Sequence, residues 1–192
     1  MNRLGPAAFA MSLLALAGIV FLFSGGYRDA IAARDGVVVI RTSLDARVRS
    51  AAASLSDEDL REIECIAENN YFEARGEGED GMWYVTNVVL NRMKGGVFPR
   101  KACKVVSQCD PRNGVCQFSW VNDGRDHSIR EHDAWNDAYE VALLSWIDRD
   151  EAPDPTGGAT RYENGALTKV RWKGWRETAS IGGHQFYKEP SR

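Results

Sequence analysis

A chain of 192 residues with 44% apolar, 10% aromatic and 27% charged side chains has material for one globular domain of ordinary size and too little length for two full ones. The normal apolar and aromatic content excludes a disordered chain. With 24 basic and 27 acidic residues and a net charge of −3, there is no positive excess to neutralise phosphates, which excludes a general nucleic-acid binder.

From Gly5 to Tyr27 there is no charged residue, and Phe9–Phe23 is almost wholly apolar. About 20 such residues in a helix cover the roughly 30 Å hydrocarbon core of a bilayer. With Arg3 and the α-amino group before it, residues 1–27 read as a transmembrane signal anchor; a cleaved signal peptide is the alternative, its small-residue sites lying late, at Ala30–Ala33. Arg28, Arg34 and Arg41 downstream would by themselves hold the body inside. The four cysteines, Cys65, Cys103, Cys109 and Cys116, argue the other way. No two form a C-x-x-C pair, and an even count behind an export segment reads as two disulfides in an oxidising compartment. The body is therefore expected outside the cytoplasm, membrane-anchored, or secreted if the segment is cleaved. Arg3 is the one charge in residues 1–27, so the remainder carries 23 basic and 27 acidic residues.

Residues 28–54 read as a stalk and 55–192 as the globular domain. Ser56-Asp-Glu-Asp59 is a helix-start signature. Leu60, Ile63, Ala67, Tyr71 and Ala74 recur at three- and four-residue steps, predicting a helix over about 57–75 that Gly76 and Gly78 stop. A second helix is expected over about 80–94, burying Val85, Val88, Val89 and Leu90. Residues 95–128 read as irregular and in need of cross-links. A third helix is expected over about 131–148, and strand patterns follow at Thr160–Tyr162, Lys169–Trp172 and His184–Tyr187. Helices first and short antiparallel strands last predict an α+β domain.

The segment Tyr71-Phe-Glu-Ala-Arg-Gly-Glu77 is the most suggestive for chemistry. Glu73 and Glu77 stand four apart at a helix end, close enough to share a cleft if the chain stays helical that far. The negative pole of the helix and apolar neighbours would raise the pKa of Glu73, unless Arg75 reached it. A carboxyl kept protonated near neutral pH is what a general acid for glycosidic cleavage requires; the bland alternative is two solvated glutamates. Gln117-Phe118-Ser119-Trp120 combines an amide, a hydroxyl and two rings, a set suited to sugars, although aromatic pairs more often belong to the core. His127 and His132, five apart, are not a zinc-ligand spacing, so no metal or other cofactor is expected. Cysteine–histidine catalysis would need an unpaired cysteine.

Together these segments resemble the SleB-type cell wall hydrolases, the family containing the catalytic domain of spore cortex-lytic enzymes. The resemblance is carried in order by Cys65–Glu77 (C-I-A-E-N-N-Y-F-E-A-R-G-E), Val85–Arg92 (V-T-N-V-V-L-N-R), Phe98-Pro99 with Cys103–Val106, Cys116–Trp120 (C-Q-F-S-W), Asp154–Ala159 and Ile181–Tyr187. It implies a lysozyme-like, transglycosylase-related fold and cleavage of peptidoglycan between N-acetylmuramic acid and N-acetylglucosamine. Glu73 falls on the expected catalytic acid. It would protonate the leaving oxygen, then accept the proton of the muramoyl 6-hydroxyl, leaving a 1,6-anhydro product; Glu77 would support it, or serve as second carboxylate in a water-using hydrolase. Asn91, Gln117, Phe118, Ser119, Trp120 and Tyr162 are the candidate substrate contacts. The expected partners are glycan strands and, through residues 1–27, a membrane, with the protein a monomer.

Relatives often carry a further cysteine shortly after C-Q-F-S-W, within a C-D-G sequence. Here Asn122-Asp-Gly124 stands there and Cys109 is the additional cysteine. The resemblance therefore points to Cys65–Cys103 and Cys109–Cys116. An N-acetylmuramoyl-alanine amidase, a wall-binding module without activity, and a phage endolysin with the same glycosidase chemistry are the alternative readings.

Overall fold

The computed structural model describes residues 48–164 and 174–190. The apolar segment 9–23, most of the stalk and the strand expected at Lys169–Trp172 lie outside the described residues. Among the described residues no helix is long and apolar enough to cross a membrane.

The expected α+β order is present, with helices first and a small antiparallel sheet last. After a short helical stretch at 48–53, within the segment read as stalk, α1 spans Asp57–Ala74. Ser56 starts it through a reciprocal box: the Asp59 amide donates to the Ser56 hydroxyl at 3.1 Å and the Ser56 amide to the Asp59 carboxylate at 3.0 Å. Such a cap contributes about 1 kcal/mol. Ile63, Ala67, Tyr71 and Ala74 are buried as their spacing predicts, whereas Leu60 stays 40% exposed. One turn of 3₁₀ helix, Arg75–Glu77, leads into α2, Gly78–Lys94, which starts two residues earlier than the periodicity suggests. At Gly78 the backbone turns at φ +73°, a conformation glycine takes without cost.

The region expected to be irregular contains a short helix, α3, Ala102–Val106, and a 3₁₀ turn, Ser119–Asn122. Both are shorter than the window in which a 3.6-residue period becomes legible. The disulfides are Cys65–Cys103, joining α1 to α3, and Cys109–Cys116. Helix α4 spans His132–Ile147. Its entry is fixed from α1, where the Tyr71 hydroxyl accepts from the amides of Arg130 and Glu131 at 3.2 and 3.1 Å.

Apolar faces of the four helices meet in one core, with Ile63 and Ile66 from α1, Val85 and Val89 from α2, Val105 from α3 and Ala138 and Trp146 from α4. A buried polar pin runs through it: the Thr86 hydroxyl donates to Asn70 Oδ1 at 2.9 Å, and the Asn70 amide donates to the Ala138 carbonyl at 3.4 Å, tying three helices together. Such groups sit in a core only when paired.

Strands β1 (Arg161–Asn164), β2 (Arg176–Ile181) and β3 (His184–Lys188) form a sheet ordered β1-β3-β2, all antiparallel. Strand β2 is not among the strand patterns expected from the sequence. This is an edge strand with a register irregularity between Glu177 and Ala179, and its burial does not alternate cleanly, so it carries no period-2 signal. Phe186 of the central strand packs with Val88 of α2 and Ala159, seating the sheet on the outer face of α2.

Candidate active site

The end of α1 and the first strand meet at Glu73. The Tyr162 hydroxyl, on β1, donates to Glu73 Oε2 at 2.9 Å across a sequence separation of 89 residues. Both side chains line a cleft of about 430 Å³ together with Arg92, Gln117, Ser119 and Glu163. Burial pushes the Glu73 carboxyl above the usual carboxylate range. The Tyr162 hydrogen bond pulls the other way, the Glu77 charge adds to the rise, and the charges of His184 and Arg92 oppose it. The Tyr162 phenol is held well above its ordinary value by burial and by the Glu73 charge, so it remains a proton-bearing donor.

Arg75 does not counter this rise, because its side chain turns away. Its Nε donates to Glu131 at 2.9 Å and its Nη1 to the Tyr71 carbonyl at 3.1 Å. Nor does the chain remain α-helical as far as Glu77, which ends the 3₁₀ turn. The Glu77 carboxylate stands 3.3 Å from Nδ1 of His184, and the His184 ring meets Tyr162 edge-on, centroids 5.3 Å apart. Glycine is required at position 81 for this arrangement: a Cβ there would collide with Cβ of Glu77 and lie 2.8 Å from its Oε2.

The other candidates divide between the cleft and the scaffold. Gln117 and Ser119 line the cleft. Phe118 is buried in the core beneath the Arg92 guanidinium, 4.8 Å from its ring centroid. Trp120 stacks on Phe72 at 4.7 Å, and its indole N–H donates to Asn69 at 3.0 Å. The Asn91 amide nitrogen donates to Asp154 Oδ2 at 2.9 Å, to Thr156 at 3.2 Å and to the Ala159 carbonyl at 3.0 Å. It thereby fastens the loop that leads into β1 and so supports Tyr162. Among the described residues no group of three or more His, Cys, Asp or Glu side chains is placed to hold a metal ion.

Arg92 and His184 join the site without having been singled out for it in the sequence. Arg92 is 2% exposed, its Nε donates to the Thr160 carbonyl at 2.7 Å, and burial pushes its pKa down to about 10. A signal for it exists, since Val85, Val88, Val89 and Arg92 follow one helical stripe and a cation on that stripe must face inward. For His184 no local pattern announces the pairing with Glu77, which depends on strand register.

The cell wall hydrolase family matches residues 76–187, more than half of the chain. The chain belongs to this family. It is also 30% identical over 141 residues to the spore cortex-lytic enzyme of Halalkalibacterium halodurans, covering 73% of this chain and 38% of that protein. The spore cortex-lytic enzyme of Oceanobacillus iheyensis is 30% identical over 128 residues, 66% of this chain and 41% of that protein. The chain thus spans about two fifths of the length of these curated relatives. The family match begins three residues after Glu73, but a stretch covering 73% of a 192-residue chain necessarily includes it. No solved structure matches the chain.

Proposed function

We propose that this cell wall hydrolase cleaves peptidoglycan glycan strands between N-acetylmuramic acid and N-acetylglucosamine, on a lysozyme-like, transglycosylase-related domain, with Glu73 as general acid and then base. The reading is carried by one observation: a half-buried carboxyl, its pKa raised, is held by a tyrosine in a polar-lined cleft of about 430 Å³. Glu73 protonates the glycosidic oxygen as the bond to the muramoyl C1 breaks. The carboxylate that results, stabilised by the Tyr162 hydroxyl, accepts the proton of the muramoyl 6-hydroxyl as that oxygen closes on C1, giving a 1,6-anhydro end. Arg92 supplies nearby positive charge that favours the ionised form in this second half.

A water-using hydrolase is the second reading, favoured by Glu163, whose carboxylate lines the same cleft and whose buried Oε2 has no hydrogen-bond partner among the described residues. Mass spectrometry of fragments released from sacculi separates the two. Anhydro-muramic ends are expected; reducing muramic ends would establish hydrolysis, and free peptide stems an amidase. Glu73→Gln should lower release by at least a hundredfold, the scale of general acid catalysis, and full release would overturn the assignment. The apolar segment 9–23 serves in this reading as the membrane anchor of an exported catalytic domain, and it predicts that the full chain sediments with membranes.

A further inference from the structure

We propose that the loop closed by Cys109–Cys116 is a substrate-binding wall of the Glu73 cleft, and that Val115 is its contact for the acetamido methyl of an N-acetylated sugar. This deepens the glycan reading and rests on it. The loop, Cys-Asp-Pro-Arg-Asn-Gly-Val-Cys, contributes Asp110, Asn113 and Val115 to the cleft that holds Glu73 and Tyr162. Val115 is 64% exposed. Among the described residues, the two other large apolar side chains that are notably exposed, Leu60 and Val97, are not among those that line this cleft.

The backbone on both sides of Val115 is fixed by hydrogen bonds. The Asp110 amide donates to the Val115 carbonyl at 2.8 Å, and the Val115 amide to the side chain of Asn113 at 3.0 Å. Gly114 makes the turn at φ +70°, and its carbonyl accepts from the Asn122 side-chain Nδ2 at 3.2 Å. The disulfide and the bond from the Gln117 amide to the Gln108 carbonyl, 2.9 Å, close the base. An isopropyl group is therefore held at the rim of a cleft whose other walls carry Arg92, Arg161 and Glu163. A ligand that suits this rim is polar over most of its surface and carries a small apolar group. An acetamido sugar has that composition, and Gln117, two residues along and lining the same cleft, offers an amide to read the acetamido N–H and C=O.

The test is binding of the full chain carrying Glu73→Gln, so that substrate is not consumed, to bacterial sacculi before and after chemical removal of their N-acetyl groups. Adding Val115→Ser should weaken pelleting with native sacculi about fourfold, as expected for losing one buried methyl contact, while Val115→Ile and the control Val97→Ser should not. Removing the acetyl groups should weaken the chain that keeps Val115 by about fourfold more than the chain carrying Val115→Ser, which is the coupling a double-mutant cycle isolates. If the chains with and without Val115→Ser bound native sacculi equally, or were equally sensitive to de-acetylation, the proposal alone would be overturned. Failure of the Glu73→Gln chain to pellet with native sacculi at all would overturn the glycan reading of the cleft, and this inference with it.

Discussion

At the scale of single residues, the group suited to acid catalysis is also a group the fold would do better without. Burial raises the pKa of Glu73, so the folded protein favours its protonated form more than the unfolded chain does. The associated stability is fully present below the ordinary carboxylate pKa and is lost as the pH rises through the raised value. Above that window the ionised carboxyl costs stability, offset in part by Tyr162, His184 and Arg92. Gln at this position keeps an acceptor for the Tyr162 hydroxyl without the charge. Glu73→Gln should therefore melt at a higher temperature than the wild type at pH 7, and the difference should have closed by about pH 4, below the ordinary carboxylate pKa; thermal melts at the two pH values decide it. A variant that is less stable at pH 7 would show that the neighbouring groups that favour the carboxylate outweigh burial.

At the scale of elements, the strand that carries Tyr162 is fastened by contacts that do not themselves line the cleft. Asn91 sits on α2, yet its amide makes three hydrogen bonds to the segment Asp154–Ala159 that delivers β1. Asn91→Ala strands these partners and should cost about 2–3 kcal/mol in denaturant unfolding. Should Asn91 instead act on substrate, the half-saturating sacculus concentration would rise with stability unchanged. This division explains what was legible in the sequence. Glu73, Ile63, Ala67 and Ala74 announce themselves because a helix writes its faces into local spacing, and the capping box at Ser56 marks its start. Tyr162 facing Glu73, and His184 facing Glu77, depend on how a three-stranded sheet is seated on α2 and on the register of β1 against β3. Spacing within a strand carries no information about what lies opposite it 89 residues away. Phe118 illustrates the converse: its ring suits sugars, but it is buried in the core beneath the Arg92 guanidinium, while Trp120 is partly buried against that core and stacked on Phe72.

At the scale of the whole molecule, charge separates two ways of holding a polymer. Residues 28–192 carry 23 basic and 27 acidic side chains, a net charge of about −4. In the proposed reading the polymer is peptidoglycan, which bears carboxylates on its peptide stems, so the long-range force between wall and protein would be weakly repulsive rather than attractive. Added salt shortens the Debye length from about 30 Å at 0.01 M to about 8 Å at 0.15 M and screens that repulsion. Contacts within the cleft are short and partly buried, and salt acts on them much less. Binding of the Glu73→Gln chain to sacculi should therefore hold steady or strengthen as sodium chloride is raised from about 0.01 to 0.15 M, read by pelleting. A severalfold loss over that range would mean that a local cluster of basic residues, and not the cleft, carries the attachment. The arginines beside α4, Arg125 and Arg130, would be the first to replace, although both stand within ion-pair distance of aspartates, Asp123 and Asp126. That pairing is the reason to expect the cleft to prevail: a guanidinium already matched to a carboxylate releases no counterion when an anionic wall approaches, and so contributes little to holding it.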